Sequence, residues 1–179
     1  MKLFAGLFLS FLGFFAMSAC NNSTPSSSSS DSTTVKTDSV SSGSTAGFKL
    51  GVQMWTFRMF SFTDALNKVD SSGIKNIEAF WGQKLGDGMK GNFGGDMSAQ
   101  DKEKLKQLLQ AKGIHLVAMG VIVPKNKAEW IKAFELAKEF GLSYITAEPI
   151  KTQWDLVDSL AGPYNIPVAI HDHPKPNVY

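Results

Sequence analysis

"GLSYITAEP", residues 141–149, holds one structural period in nine positions. Gly141 follows the helical pattern "NKAEWIKAFELAKEF" and, tolerating a left-handed backbone, marks where a helix stops. The residues after it alternate, with Ile145 and Ala147 on one side and Thr146 and Glu148 on the other, before Pro149 ends the strand. One face can receive a helix. The other carries polar groups toward the strand's carboxyl end.

The same shape recurs along the chain. "SSGIKNIEAF" around Gly73 and "AKGIHLVAMG" around Gly113 repeat it, and "PYNIPVAIHD" puts Asn165 where the glycine stood. The opening strand, "FKLGVQMW", has no helix before it. Between these points lie "SFTDALNKVDSS", capped by Ser61 or Thr63, and "MSAQDKEKLKQLLQAKG", with Ser98 and Asp101 at capping-box spacing. The third helix presents Trp130, Ile131, Phe134, Ala137 and Phe140 as an apolar stripe. The fourth, "TQWDLVDSLAG", is expected to end at Gly162-Pro163. The order is β-α-β-α-β-α-β-α-β, which requires parallel strands and right-handed crossovers.

Two architectures fit: an open doubly wound sheet, or the first five units of a (β/α)8 barrel. Strands between two helix layers should be apolar on both faces. These are not: Gln53 and Trp55 oppose Val52 and Met54, Glu78 opposes Ile77, and His171 and His173 share the face opposite Val168 and Ile170. That pattern favours the barrel, whose reacting groups sit at the carboxyl ends of the strands.

The rest of the chain has another character. Residues 1–19 have a basic start at Lys2, an apolar stretch and small residues before Cys20, which describes a secretory signal too short to span a membrane comfortably. Cys20 is the only cysteine, so no intramolecular disulfide can form. Its place after "MSA" resembles a bacterial lipobox, with Cys20 acylated. Residues 20–47 are dominated by Ser and Thr, with Val35 and Val40 the only larger aliphatic side chains, and read as a flexible tether. The expectation is an exported lipoprotein facing the periplasm, touching the membrane through its anchor alone. The globular part is 48–179. The net charge of +2 is scattered over helical faces such as "DKEKLKQLLQAK", which argues against a nucleic-acid partner.

On a barrel, Gln53, Glu78, Glu148, His171 and His173 converge on one mouth. Two imidazoles with a carboxylate suit Mn, Zn, Co or Fe. His171 is the first candidate ligand. His173 could bind either the ion or a substrate hydroxyl. Glu148 and Glu78 are the candidate acid/base groups, and Gln53 and Trp55 candidate substrate contacts. "GDGMKGNFGGD", residues 86–96, matches no phosphate-binding loop and reads as a lid or rim, with Trp81 and Phe93 as sugar-stacking surfaces. His115 begins its strand at the far end and is read as structural.

From "KLGVQMWTFR" through "GIKNIEAFWGQKLG", "GIHLVAMGV" and "GLSYITAEP" to "YNIPVAIHDHPKP", the globular part resembles the sugar phosphate isomerase/epimerase family of xylose-isomerase-like (β/α)8 barrels, in its lipid-anchored branch. The resemblance implies a divalent ion (Mn, Mg, Co or Zn) at the barrel top and acid/base residues that shuttle a proton beside a carbonyl. His171 stands where many relatives place a Glu ligand. The family's other ligands come from strands six to eight, so the resemblance also implies a partial barrel, cut from a protein of about 250 or more residues. The expected activity is a metal-dependent isomerase or epimerase on a small carbohydrate. A keto-glycoside lyase or hydratase on the same barrel, and a non-catalytic carbohydrate-binding lipoprotein, are the alternatives. An exported enzyme should meet free sugars or glycosides rather than sugar phosphates.

Overall fold

Local chemistry sets the ends of each helix. Ser61 accepts a hydrogen bond from the Asp64 N–H to start α1 (Phe62–Ser71), Ser98 does the same for Asp101 at α2 (Ala99–Lys112), and Asn126 for Glu129 at α3 (Lys127–Phe140). α4 (Trp154–Tyr164) has no side-chain cap at its start. The other ends turn out through left-handed residues: Gly73, Gly113, Gly141 and Asn165, with φ of 76°, 58°, 65° and 54°. All four were marked by the sequence pattern. The fourth helix differs in length, since it runs through Gly162-Pro163 to Tyr164. Pro163 falls in the last turn, and the left-handed Asn165 is what stops the helix.

The computed structural model describes residues 48–174. The signal sequence, Cys20 and the tether lie outside the described residues. The strands are β1 (Gly51–Gln53), β2 (Asn76–Phe80), β3 (Lys84–Gly86), β4 (Met89–Asn92), β5 (His115–Ile122), β6 (Tyr144–Ala147) and β7 (Val168–Ile170). Five form one parallel sheet in the order β1-β2-β5-β6-β7, while β3 and β4 pair antiparallel as a separate hairpin. Among the described residues the fold is therefore α/β, with a five-stranded parallel sheet, the hairpin and four α-helices. Its strand order follows the chain and never reverses.

Period two separates the sheet's faces. Ile77, Ala79, Met119, Ile145 and Ala147 have no exposed surface and belong to one core with Phe62, Leu66, Val69, Leu105, Trp130 and Phe134 from the helices. Alternating with them, Glu78, Phe80, Tyr144 and Thr146 are only partly buried, and a register shift between Met119 and Ile122 leaves Val121 partly buried as well. Side chains from α2 and α3 also meet through ions, Lys102 and Lys106 both reaching Glu139, at 2.8 and 3.0 Å.

The hairpin corrects one expectation. The glycine-rich segment is not a lid over the mouth: its apolar side chains Met89 and Phe93 enter the core, with Leu85 just before it. Phe93 stacks on Phe62 at 5.4 Å between ring centroids, so it offers no surface to a sugar. A side chain at Gly86 would fall 2.6 Å from Ser61 and Thr63 atoms, which fits the close approach of the hairpin to the start of α1. Buried Gln83 donates to the carbonyls of Phe57 and Phe60 and ties the hairpin's base to the turn after β1.

Candidate functional site at the carboxyl ends of the strands

β1 ends sooner than its alternation suggests. The Gln53 side chain accepts a 2.5 Å hydrogen bond from the Trp55 N–H, and the chain tightens into a 3-10 turn over Met54–Phe57. Gln53 Nε2 donates to the Gly120 carbonyl at 3.0 Å. Both ends of this amide are thus engaged by backbone, leaving one N–H of the side chain uncommitted. Gln53 positions the rim before it can contact a substrate.

Trp55 leans edge-on against Phe80, 4.6 Å between centroids and 86° between planes, and both line a cavity of about 490 Å³ at the strand ends. Glu78, Glu148, His171, Thr146 and Val121 also line it. Phe80, Thr56, Thr146 and Val121 were not singled out as site residues from sequence. The signal for two of them was present: Phe80 is two residues beyond Glu78, Thr146 two before Glu148, and parity alone aligns them. Trp81 is one residue further than Phe80, so it points the other way. It lines a separate cavity of about 360 Å³ with Asp96, Glu129 and Lys132, and does not join the mouth. His115 opens β5 at the opposite end, beside Lys49 and Lys106.

Backbone ladders hold the acidic and imidazole groups in place. The Glu148 N–H donates to the Ile122 carbonyl at 3.0 Å, and the His171 N–H to the Ala147 carbonyl at 2.9 Å, each just past its strand. Glu148 Oε1 lies 2.7 Å from His173 Nε2 and 3.8 Å from His171 Nε2. The two imidazoles meet edge to face, centroids 4.8 Å apart. One donor atom from each of the three residues falls within 4.8 Å of the other two. Donors around one ion with bonds of about 2.1 Å sit roughly 3.0–3.4 Å apart. A divalent cation would thus open the Glu148–His173 contact slightly, draw His171 toward Glu148 by a few tenths of an ångström, and bring the two imidazole donors together by more than an ångström, which requires the side chains to turn. The donor set, two imidazoles and a carboxylate, fits Zn, Mn, Co or Fe.

Deeper in the mouth, Glu78 sits at the middle of β2 opposite Gln53. Its Oε1 is buried and has no hydrogen-bond partner among the described residues. It is packed against Gly120, where an added Cβ would lie 3.1 Å from this oxygen and 2.5 Å from the Thr146 carbonyl oxygen. Only a glycine lets β5 pass between Glu78 and Thr146. Burial, and then the charge of Glu78, push the Tyr144 hydroxyl above the ordinary tyrosine range.

No protein-family model and no curated protein matches this chain. Among solved structures, it is similar to the crystal structure of an uncharacterized protein from Parabacteroides distasonis ATCC 8503, at 34% identity and a TM-score of 0.66. The match covers 71% of this chain and 54% of that one, so the chain spans about half the length of this relative. The likeness supports the α/β architecture and carries no activity with it.

Proposed function

We propose that this chain is the five-stranded part of a (β/α)8 barrel and that its strand ends form the site of a metal-dependent sugar isomerase or epimerase. The barrel reading is supported by the strand order, because a doubly wound sheet reverses its order at a switch point and this one does not. Right-handed crossovers in a sheet of unreversed order put every helix on one face, leaving the other for a barrel interior. The observation that carries the function is the Glu148–His171–His173 cluster opening on the cavity that also holds Glu78.

In this reading Glu148, His171 and His173 hold the ion, and Glu78 moves the proton. The ion supplies polarisation of a carbonyl and its neighbouring hydroxyl, which makes the adjacent C–H more acidic. Glu78 is suited to accept that proton because its carboxylate lines the cavity and one of its oxygens has no donor among the described residues. Trp55 and Phe80 give the apolar wall on which a sugar ring can rest. Gln53 and Gly120 fix that wall and Glu78 relative to one another. The lipid anchor at Cys20 would place this site outside the cytoplasm, on a Ser/Thr-rich leash.

The test combines two readouts on the full chain. After loading with Mn²⁺ or Zn²⁺ and dialysis, elemental analysis should find about one ion per chain, and His171→Ala or Glu148→Ala should cut this at least tenfold. In deuterated water the loaded protein should exchange a carbon-bound proton of its sugar, and Glu78→Gln should slow the exchange about 100-fold while still holding the ion. Sugar binding with no retained ion in any preparation would instead favour the non-catalytic reading, in which Glu148 and His173 form a plain hydrogen-bonded pair.

A further inference from the structure

We infer that the cavity selects an uncharged polyhydroxy substrate, a free sugar or glycoside, over its phosphorylated or carboxylated counterpart; this rests on the saccharide reading of the site above. Two of the residues lining the cavity are carboxylates, Glu78 and Glu148, and among the described residues lining it there is no Lys or Arg. The guanidinium closest in sequence, Arg58, is held elsewhere: it lies over the Trp55 ring, 5.0 Å from the centroid, and donates to the Trp55 carbonyl at 3.2 Å. Arg58 therefore packs with the rim and does not line the cavity.

The two carboxylates differ in how far they are neutralised. Glu148 already meets imidazole nitrogens at 2.7 and 3.8 Å, and an ion held there would be used by the reacting oxygens. Glu78 has no such partner for its buried oxygen. A phosphate ester elsewhere on the sugar would enter a site whose described acidic side chains, Glu78 and Glu148, repel it. Hydroxyl groups face the opposite situation. They donate to a carboxylate and exchange both roles with Thr56 and Thr146, while the ring's apolar face lies on Trp55 and Phe80.

The experiment needs no turnover and so stands apart from the metal reading. Using metal-stripped full chain, the fluorescence of Trp55 is titrated with a panel of neutral pentoses, hexoses and methyl glycosides, and with the phosphate ester of each; Trp55→Phe provides the blank. Neutral members should bind at least tenfold more tightly than their esters. Placing a cation at the exposed rim, Thr56→Arg, should narrow that ratio at least threefold. Esters binding as well as or better than neutral sugars would overturn the inference, as would no saturable response to either, or a ratio untouched by Thr56→Arg. The deuterium exchange described above judges the isomerase reading separately. Exchange of a phosphorylated sugar with Mn²⁺ present would uphold that reading while sinking this one.

Discussion

The two faces of the five-stranded sheet are built from the same short segments, yet they follow opposite rules. Along β2, Ile77 is fully buried under the helices while Glu78, its neighbour, turns an unpartnered carboxylate oxygen toward Gly120 and lines the cavity. Along β6, Ile145 and Ala147 pack in the core while Tyr144 and Thr146 face the open side. One face is optimised for exclusion of water and close packing. The other keeps a buried carboxylate oxygen that has no donor among the described residues. A one-residue slip in register would exchange the two sets, so the core that buries Ile77 is also what aims Glu78.

The sharpest break in this comparison is between those two neighbours. Ile77→Ala should cost about 3 kcal/mol in a denaturant melt, because it leaves a cavity under the helices. Glu78→Ala should change stability by no more than about 1 kcal/mol in either direction, since lost contacts are offset by removing a buried acceptor without a partner. Equal losses at both sites would mean that the open face is also a packed core.

Gly120 joins the two faces and should show an intermediate effect. An alanine there would put its Cβ 2.5 Å from the Thr146 carbonyl oxygen and 2.6 Å from the Thr146 Cβ, forcing β5 and β6 apart. Gly120→Ala is expected to cost about 1–3 kcal/mol and to weaken ion retention at Glu148. A variant as stable as the parent would show that the sheet can widen freely at this point.

The smallest effect lies at alkaline pH. Burial and the nearby Glu78 hold the Tyr144 hydroxyl above its ordinary value. A raised folded-state pKa contributes stability that is complete below the unfolded value, about 10, and is lost as pH rises through the folded value. The Tyr144 contribution should therefore fade only above about pH 10. Tyr144→Phe should flatten that alkaline decline, and Glu78→Gln should lower the phenolate midpoint seen by absorbance. A midpoint unmoved in Glu78→Gln would separate the two groups electrostatically.

Much of this frame is legible in residues read singly or at short range. Ser61 and Ser98 as caps, and Gly73, Gly113, Gly141 and Asn165 as helix ends, follow from interactions within a few positions of chain. The alternation in "SYITAE" and "NIEAF" depends only on the strand period. The hairpin at residues 84–92 was harder to see, because Phe93 looks like a rim residue until Phe62 at the start of α1 is brought against it. Trp81 was grouped with the mouth by proximity in sequence, although parity with Ile77 and Ala79 assigns it to the helix side.

What the sequence determined by itself is the order of the five parallel strands and four helices and most of which side chains share a strand face, because both arise from backbone periodicity and local hydrogen bonding. What only the tertiary structure decided is which groups meet across strands. Glu148 and His173 are 25 residues apart in sequence and touch at 2.7 Å. Gln53 spends its amide on Gly120, 67 residues away, and Glu78 is left with an oxygen that no described neighbour satisfies. Such distances are set by sheet register and packing, which no stretch of sequence contains on its own.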